Sequence, residues 1–411
     1  MPEFLTLLPP AEALEQFLNA LAPRPGEETI ATIDALGRVP ARPVAAPEPL
    51  PAFPRSTVDG YAVRARDTFG ASDGLPAYLA VVGEIAMGSA PAFLVGPGEA
   101  ALIHTGGMLP GGADAVVMVE HTQQSRPGEV EVYRPLAAGE NTLLTGEDVL
   151  AGQEVIPAGR SLNPAGIGVL MALGITRVTV SSLPIVGILS TGDEVIAPDQ
   201  QPTSGQVRDI NSYTLSALCA QHGALPVRYG ILPDNPDALQ AALADALARC
   251  DMVILTAGSS ASTRDLTAQT IASFGPPGVL IHGVNMKPGK PTILGVCQNK
   301  AVIGLPGNPV SALVVGRLFV VPVIERLLGL VDAGPAGGVL SARLSVNLPS
   351  QAGREDWTPA RLLPVAGGWR AEPIFYRSNL IFTLAQADGL IYTPSDAVGL
   401  EAGSIVRVEL I

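Results

Sequence analysis

Residues 286–313 read MKPGKPTILGVCQNKAVIGLPGNPVSAL, a cationic loop followed by a strand that turns directly into a helix. Lys287 and Lys290 stand among Pro288, Gly289 and Pro291, which stiffen the loop. The apolar run Ala301 to Leu305 reads as a buried strand, ended by Pro306-Gly307-Asn308-Pro309. Asn308 suits an N-cap and Pro309 the first helical turn, so the expectation is a helix start with free N–H groups facing outward. Fixed cations beside a helix N-terminus make a receptor for an oxyanion. A solvated basic loop next to an ordinary β-α turn would leave the same letters, so the neighbouring segments must decide.

From Pro184 to Leu330 the chain alternates strands and helices. Strands are expected at Ile185–Leu189, Val227–Leu232, Met252–Thr256 and Ala301–Leu305. Helices are expected at Asn211–His222, Pro236–Arg249, Asp265–Phe274 and Val310–Leu328. Such alternation implies parallel strands with crossover helices, and ligands of open α/β sheets bind beyond the carboxyl ends of the strands. Polar loops stand at those ends: Ser190-Thr191-Gly192-Asp193-Glu194, Pro233-Asp234-Asn235, Thr256-Ala257-Gly258-Ser259-Ser260, and the Gly307-Asn308-Pro309 helix start. Consecutive N–H groups and hydroxyls cradle phosphate, and carboxylates from Glu194, Asp234 or Asp265 could hold Mg²⁺ against it. Asp234-Asn235 reads equally as an N-cap, and Asp193-Glu194 as a solvated turn. None of these spacings is a Walker A loop or a dinucleotide fingerprint.

The flanks differ in character. An amphipathic helix is expected over residues 9–22, then a Pro-rich tract from Pro40 to Pro54. Short β-prone runs follow (Tyr78–Val82, Ala101–His104, Ala115–Glu120, Glu129–Tyr133), then one helix at Asn163–Leu173. Past Leu330 a Gly/Pro-punctuated β region runs to Ile411. Asp59, before the strand-like Tyr61-Ala62-Val63-Arg64, reads as a turn aspartate or a functional one. His104, in His104-Thr105-Gly106-Gly107, reads more simply as a satisfied structural histidine.

Bulk properties exclude several classes. A chain of 411 residues implies two to four domains, and 47% apolar residues suffice for real cores. A net charge of −13 argues against a sequence-independent hold on nucleic acid or anionic lipid. Cys219, Cys250 and Cys297 are widely spaced in apolar surroundings, which fits reduced thiols in a cytoplasmic protein. With four histidines and no Cys/His cluster, a zinc site is not expected. The N-terminus shows no signal-peptide pattern, and Arg317, Pro322, Glu325 and Arg326 mark Val310–Leu328 as a core helix rather than a membrane span.

Eight strings, in order, carry a family resemblance: S-x-x-D-G-Y-A at 56–62, G-E-I-A-x-G at 83–88, H-T-G at 104–106, G-A-D-A-V-V at 112–117, G-E-D at 146–148, S-T-G-D-E at 190–194, K-P-G-K-P at 287–291 and G-L-P-G-N-P-V-S-A at 304–312. With these the chain resembles the molybdopterin molybdenumtransferases, the MoeA family that includes the gephyrin E domain. The resemblance implies an elongated subunit in which a central three-layer α/β domain of the molybdopterin-binding type (181–330) joins β-rich accessory domains. These are a split N-terminal domain (1–45 and 145–180), a β-rich domain carrying DGYA (46–144) and a C-terminal β domain (331–411). It implies a homodimer that takes adenylylated molybdopterin, hydrolyses its phosphoanhydride in a step dependent on Mg²⁺ and molybdate, inserts molybdenum and releases AMP. Transient contact with the adenylyltransferase that makes the substrate, and with acceptor molybdoenzymes, is implied too.

Carried over by resemblance, Lys287, Lys290, Pro291, Ser311, Arg354 and Ser378 would line the molybdate pocket. Asp59, Thr105, Asp148, Glu194, Asp234 and Asp265 match functionally important polar positions, with Glu194, Asp234 and Asp265 as metal ligands. Thr191, Gly192, Gly258, Ser259, Ser260, Gly307, Asn308 and Pro309 would bind nucleotide or phosphate. Two departures stand out: Ala257 replaces a glycine of the family's S-G-G-V-S-x-G loop, with Arg264 beside Asp265, and Thr142-Leu143-Leu144-Thr145 replaces an Arg-rich run. A tungstate-inserting paralogue and a non-catalytic scaffold that keeps the fold are the alternatives. The adenylyltransferase itself lacks the DGYA segment.

Overall fold

The computed structural model describes residues 7–23, 25–256, 261–331, 338–375 and 377–411, with backbone only at 261–265. The chain forms two compact units, one of Met1–Ala41, Gly159–Asn163 and Arg177–Ile411, the other of Arg42–Ala158 and Pro164–Thr176.

The larger unit is organised by a six-stranded sheet in the order Leu225–Leu232, Ile185–Thr191, Met252–Thr256, Lys300–Leu305, Ile293–Cys297, Gly278–His282. The first four strands are parallel, as their βαβ pattern requires. Alternate side chains enter different cores, as period-two geometry dictates. Val186, Ile188, Met252, Ile254 and Ile303 pack against Leu215 and Leu218 of one helix and Val310 to Ile324 of another. Leu189, Val253, Leu255 and Val302 face Leu239, Leu243 and Leu247, with Ile271, on the other side. The result is the expected three-layer α/β domain.

The last two strands are an addition to the four read from the sequence. Gly278–His282 and Ile293–Cys297 are antiparallel to each other, and the second is antiparallel to Lys300–Leu305. They arise from reversals rather than crossovers, so strand-helix alternation does not mark them. The final helix is also less regular than expected. Pro309–Val315 passes through a wider π turn, Gly316–Val320, into Val321–Leu327. Pro322 has no N–H for the ordinary bond to the carbonyl four residues back, and its ring crowds that carbonyl, which accounts for the local widening.

Beyond Gly338 the same unit forms a second sheet. Glu355–Val365, Gly368–Pro373, Val339–Leu344, Ile405–Leu410 and Gly389–Thr393 pair in that order, and the last pairs back to the first. Closure removes exposed edges and buries Leu344, Ala360, Ala371, Ile391 and Val408 inside. The short strand Met286–Lys287 joins this sheet beside Glu355, with Lys287 opposite Asp356. That pairing brings the cationic loop of one domain to the C-terminal β region. Separately, Glu27–Ala31 pairs antiparallel with Arg177–Ser181.

The smaller unit holds a six-stranded sheet ordered Ala115–Met118, Gly60–Val63, Glu99–Ile103, Ala77–Glu84, Glu129–Val132, Thr122–Arg126. The β-rich reading of this region therefore holds. Val63, Ala100 and Val117 fill one core, and Ala62, Ala101, Ile103 and Val116 the other. Gly60 is sterically required, because a Cβ there would lie 1.8 Å from the Val117 carbonyl oxygen. The three cysteines are free and buried. Among the described residues no helix is long and apolar enough to cross a membrane.

Candidate functional site

The loop quoted first is closed by its own backbone. Val284 N–H donates to the Lys290 carbonyl at 2.9 Å, and the Thr292 hydroxyl donates to the Gly289 carbonyl at 2.6 Å. Gly289 has φ +116°, and a Cβ would meet Val315 Cγ2 at 2.4 Å, so only glycine fits the turn between the lysines. Both lysines remain exposed. They open into a cavity of about 620 Å³ that also includes Pro291, Asn308, Ser311, Arg354 and Ser378. The six residues assigned to oxyanion binding by resemblance thus share one cavity. Arg377 joins Lys287, Lys290 and Arg354 there, and none of the described lining residues is acidic. Four cations in the described lining, with Arg354 alone paired to a carboxylate (Asp356) behind it, concentrate positive charge suited to an oxyanion in a chain of net charge −13.

The helix start departs from expectation. Asn308 occupies the N-cap position with extended backbone, but its side chain does not cap. Asn308 Nδ2 instead donates to Ser378 Oγ at 3.0 Å, and Val310 N–H donates to the Ser378 carbonyl at 3.1 Å. The C-terminal segment has taken groups that a free helix end would offer. Arg354 is oriented from behind, its Nε donating to Asp356 Oδ1 at 2.9 Å.

A second cavity, about 420 Å³, shares Asn308 with the first. Ser190, Thr191, Glu194, Asp209, Asn211, Thr256, Gly307 and Pro309 belong to its lining, which gathers several of the expected phosphate-binding positions. Gly192, between the lining residues Thr191 and Glu194 but not itself in the lining, has φ +140°. Asp209 and Asn211 were not singled out by sequence. The buried Asp209 carboxylate accepts from Ser190 Oγ at 3.1 Å and from Ser212 N and Oγ at 3.1 and 2.6 Å. Asn211 Nδ2 donates to the Gly307 carbonyl at 2.8 Å, while its buried Oδ1 has no hydrogen-bond partner. The available signal was Arg208-Asp209-Ile210-Asn211 ahead of a helix, which looks like any helix entry.

Asp193, Glu194 and Asp234 form an acidic rim. Asp234 N–H donates to Asp193 Oδ1 at 3.2 Å, and Asp234 Oδ1 is buried without a partner. Burial, then the charges of Asp193 and Glu194, push the Asp234 carboxyl above the usual range. Asn235, by contrast, caps its helix, accepting from the amides of Asp237 and Ala238. Among the described residues no three His, Cys, Asp or Glu side chains converge as a ready-made metal site. Gly258, Ser259 and Ser260 lie outside the described residues, as does the side chain of Asp265.

In the smaller unit, Gly60 pairs with Ile103, which sets Asp59 beside Thr105. Thr105 donates to Asp59 Oδ1 from its amide at 2.7 Å and from its hydroxyl at 3.1 Å. These bonds, the amide first, hold the Asp59 carboxyl below the usual range. Asp148 is positioned by a different pairing, its N–H donating to the Leu50 carbonyl at 3.0 Å. Its carboxylate is exposed.

Three consecutive stretches match described families. Residues 8–174 match the MoeA N-terminal region (domain I and II), 187–326 the probable molybdopterin binding domain, and 341–411 the MoeA C-terminal region (domain IV). The molybdopterin molybdenumtransferase of Nostoc sp. is 36% identical over 379 residues, covering 91% of this chain and 86% of the relative. That of Bacillus subtilis is 32% identical over 388 residues, covering 93% and 90%. A solved molybdopterin biosynthesis moeA protein from Pyrococcus horikoshii superposes with a TM-score of 0.86 at 31% identity, covering 99% of this chain and 100% of the other.

Proposed function

The chain belongs to the MoeA family of molybdopterin molybdenumtransferases, and from that membership we propose that it inserts molybdate into adenylylated molybdopterin and releases AMP. The observation that carries the reading is the pair of cavities sharing Asn308, one with four cations and no acid among its described lining residues, the other lined by Ser190, Thr191, Glu194, Asp209 and Asn211. Lys287, Lys290 and Arg354 bind the tetrahedral dianion, with Pro291, Ser311 and Ser378 shaping the wall. The pterin occupies the second cavity, where the unpartnered Asn211 Oδ1 accepts an N–H from its amide-bearing ring. Thr191, Gly192, Gly307 and Asn308 face the phosphate.

Hydrolysis of the phosphoanhydride breaks one P–O bond; water supplies hydroxide to phosphorus, and its proton passes to a carboxylate. Asp59, with its anionic form favoured by Thr105, is assigned as that acceptor, and Asp148 as a second polar group. Magnesium fits the acidic rim, where the orphaned Asp234 Oδ1 lies among like charges. By the family resemblance Glu194, Asp234 and Asp265 would hold it, the side chain of Asp265 lying outside the described residues. When bound it would neutralise charge on the breaking anhydride.

A homodimer is favoured by the helix Pro164–Ala172, PAGIGVLMA, which is apolar all round yet buries only Gly166 and Leu170. Val169 and Met171 remain exposed, an unpartnered face that a second copy of the chain would cover. The four-domain division given above, a cytoplasmic location and contact with the substrate-making and cofactor-accepting enzymes complete the proposal. The test is AMP release from adenylylated molybdopterin with Mg²⁺, comparing molybdate with tungstate. Tight ligand binding without AMP would sink the enzyme reading in favour of a scaffold, and AMP release with tungstate alone would reassign the metal.

A further inference from the structure

Three neighbouring strands of the smaller unit end in ionisable side chains. Asp59 precedes Gly60–Val63, His104 follows Glu99–Ile103, and Glu84 closes Ala77–Glu84. Gly60 is opposite Ile103 and Glu84 is opposite Leu102, so the sheet register lines up the three ends. His104 Nε2 lies 3.0 Å from Glu84 Oε1, and Nδ1 lies 3.9 Å from Asp59 Oδ1, the oxygen that Thr105 binds. The titratable groups facing the ring are therefore Glu84 from one neighbouring strand and Asp59 from the other. The ring has the partner expected of a satisfied structural histidine, yet its side chain is 43% exposed and its other nitrogen faces Asp59.

The tautomer follows from the carboxylate partner. An ionised Glu84 only accepts, so Nε2 carries its hydrogen. The neutral ring then turns a lone pair toward Asp59 Oδ1, whereas the imidazolium turns an N–H toward it. A small approach from 3.9 Å would complete a charge-assisted hydrogen bond in the second state and be opposed in the first. Adding one proton to this ring changes Asp59's neighbour from acceptor to donor.

We propose that His104, braced by Glu84, is a positioning residue for Asp59: the charged ring adds a donor to a carboxylate that Thr105 holds in either state, and the neutral ring withdraws that donor. The inference rests on the reading that Asp59 acts in the reaction. It concerns how the residue is oriented and how that orientation depends on pH. Strand register sets the three side chains side by side.

Two measurements test it. The first needs no substrate: the Asp59 side-chain carboxyl is followed by NMR against pH in the full-length protein. Wild type should show a second inflection, beyond that of the carboxyl itself, that reports the ring and is absent in His104→Gln. Glu84→Gln should displace that inflection by removing the brace. A wild-type curve without the inflection, or its persistence in His104→Gln, overturns the proposal. The second is AMP release against pH. Wild-type activity should fall as pH rises through the inflection that the ring reports, His104→Gln should be about tenfold slower on its acid side and flat, and His104→Lys should retain activity on its alkaline side. An active wild type whose rate and profile are unchanged by His104→Gln overturns the positioning role alone. A wild type that releases no AMP overturns the proposed function, and the NMR titration then decides the His104–Asp59 coupling by itself.

Discussion

Arg354 Nε donates to Asp356 Oδ1 at 2.9 Å, and Asp356 is 5% exposed behind it. A buried acceptor thus fixes the plane of a guanidinium whose remaining N–H groups are left for the cationic cavity. Loss of one charge-assisted bond of this kind removes roughly 1.5–3 kcal/mol of interaction. We expect Asp356→Asn to raise the KM for molybdate about tenfold with kcat nearly unchanged, measured by AMP release at varied molybdate. A drop in kcat at constant KM would show that Asp356 does not act through oxyanion binding. Arg354→Lys should resemble it, since charge is kept and the planar fork is lost.

Lys287 and Lys290 are exposed at their loop, so removing either charge should leave the fold intact. Lys287→Ala and Lys290→Ala are each expected to weaken molybdate dependence about tenfold or more while Tm changes by no more than a few degrees. A Tm loss as large as that of a core variant would make the lysines structural.

Gly60 is where sterics and function meet. Gly60→Ala places a methyl 1.8 Å from the Val117 carbonyl oxygen, in the centre of a paired sheet. The chain must shift, and overpacking of this kind costs about 1–3 kcal/mol. Urea unfolding should show that loss, and AMP release should fall further than the unfolded fraction explains, because the strand carries Asp59. Unaltered stability would mean that this close approach is relieved in solution.

Asp234 has a raised folded-state carboxyl pKa, caused first by burial and then by Asp193 and Glu194. The folded state then holds a proton that the unfolded state has lost, so stability falls as pH rises from the ordinary 3.8 through the raised value. Asp234→Asn should therefore be more stable than wild type at pH 7 and show no such advantage at pH 3, by denaturant unfolding. Adding Mg²⁺ should raise the Tm of wild type more than that of Asp234→Asn, and chelation should reverse the difference. Equal Mg²⁺ responses would remove Asp234 from the metal site.

Much of the α/β domain was legible because burial alternation and β-α punctuation are local. Leu189 and Val253 face one core, Ile188 and Met252 the other, as period two requires. The antiparallel pair Gly278–His282 and Ile293–Cys297 was not legible, since short apolar runs separated by a Pro/Gly loop carry no pairing signal. The same limit hid Asp209 and Asn211, whose site lies at Ser190, Ser212 and Gly307 rather than in their own sequence surroundings. Arg354 and Ser378 were named by family resemblance, not by residue reading, and Arg377 by neither.

The sequence by itself determined the four parallel strands with their crossover helices, and the cationic KPGKP loop ahead of GLPGNP. Only the tertiary structure decided that Asn308 is tied to Ser378 rather than capping its helix, that Asp356 aims Arg354, and that Glu84 braces the histidine beside Asp59. The reason is physical. Periodicity and propensity act over a few residues and assign each side chain to a face. Which distant segment meets that face is set by strand register and sheet closure, and those depend on the packing of the whole domain.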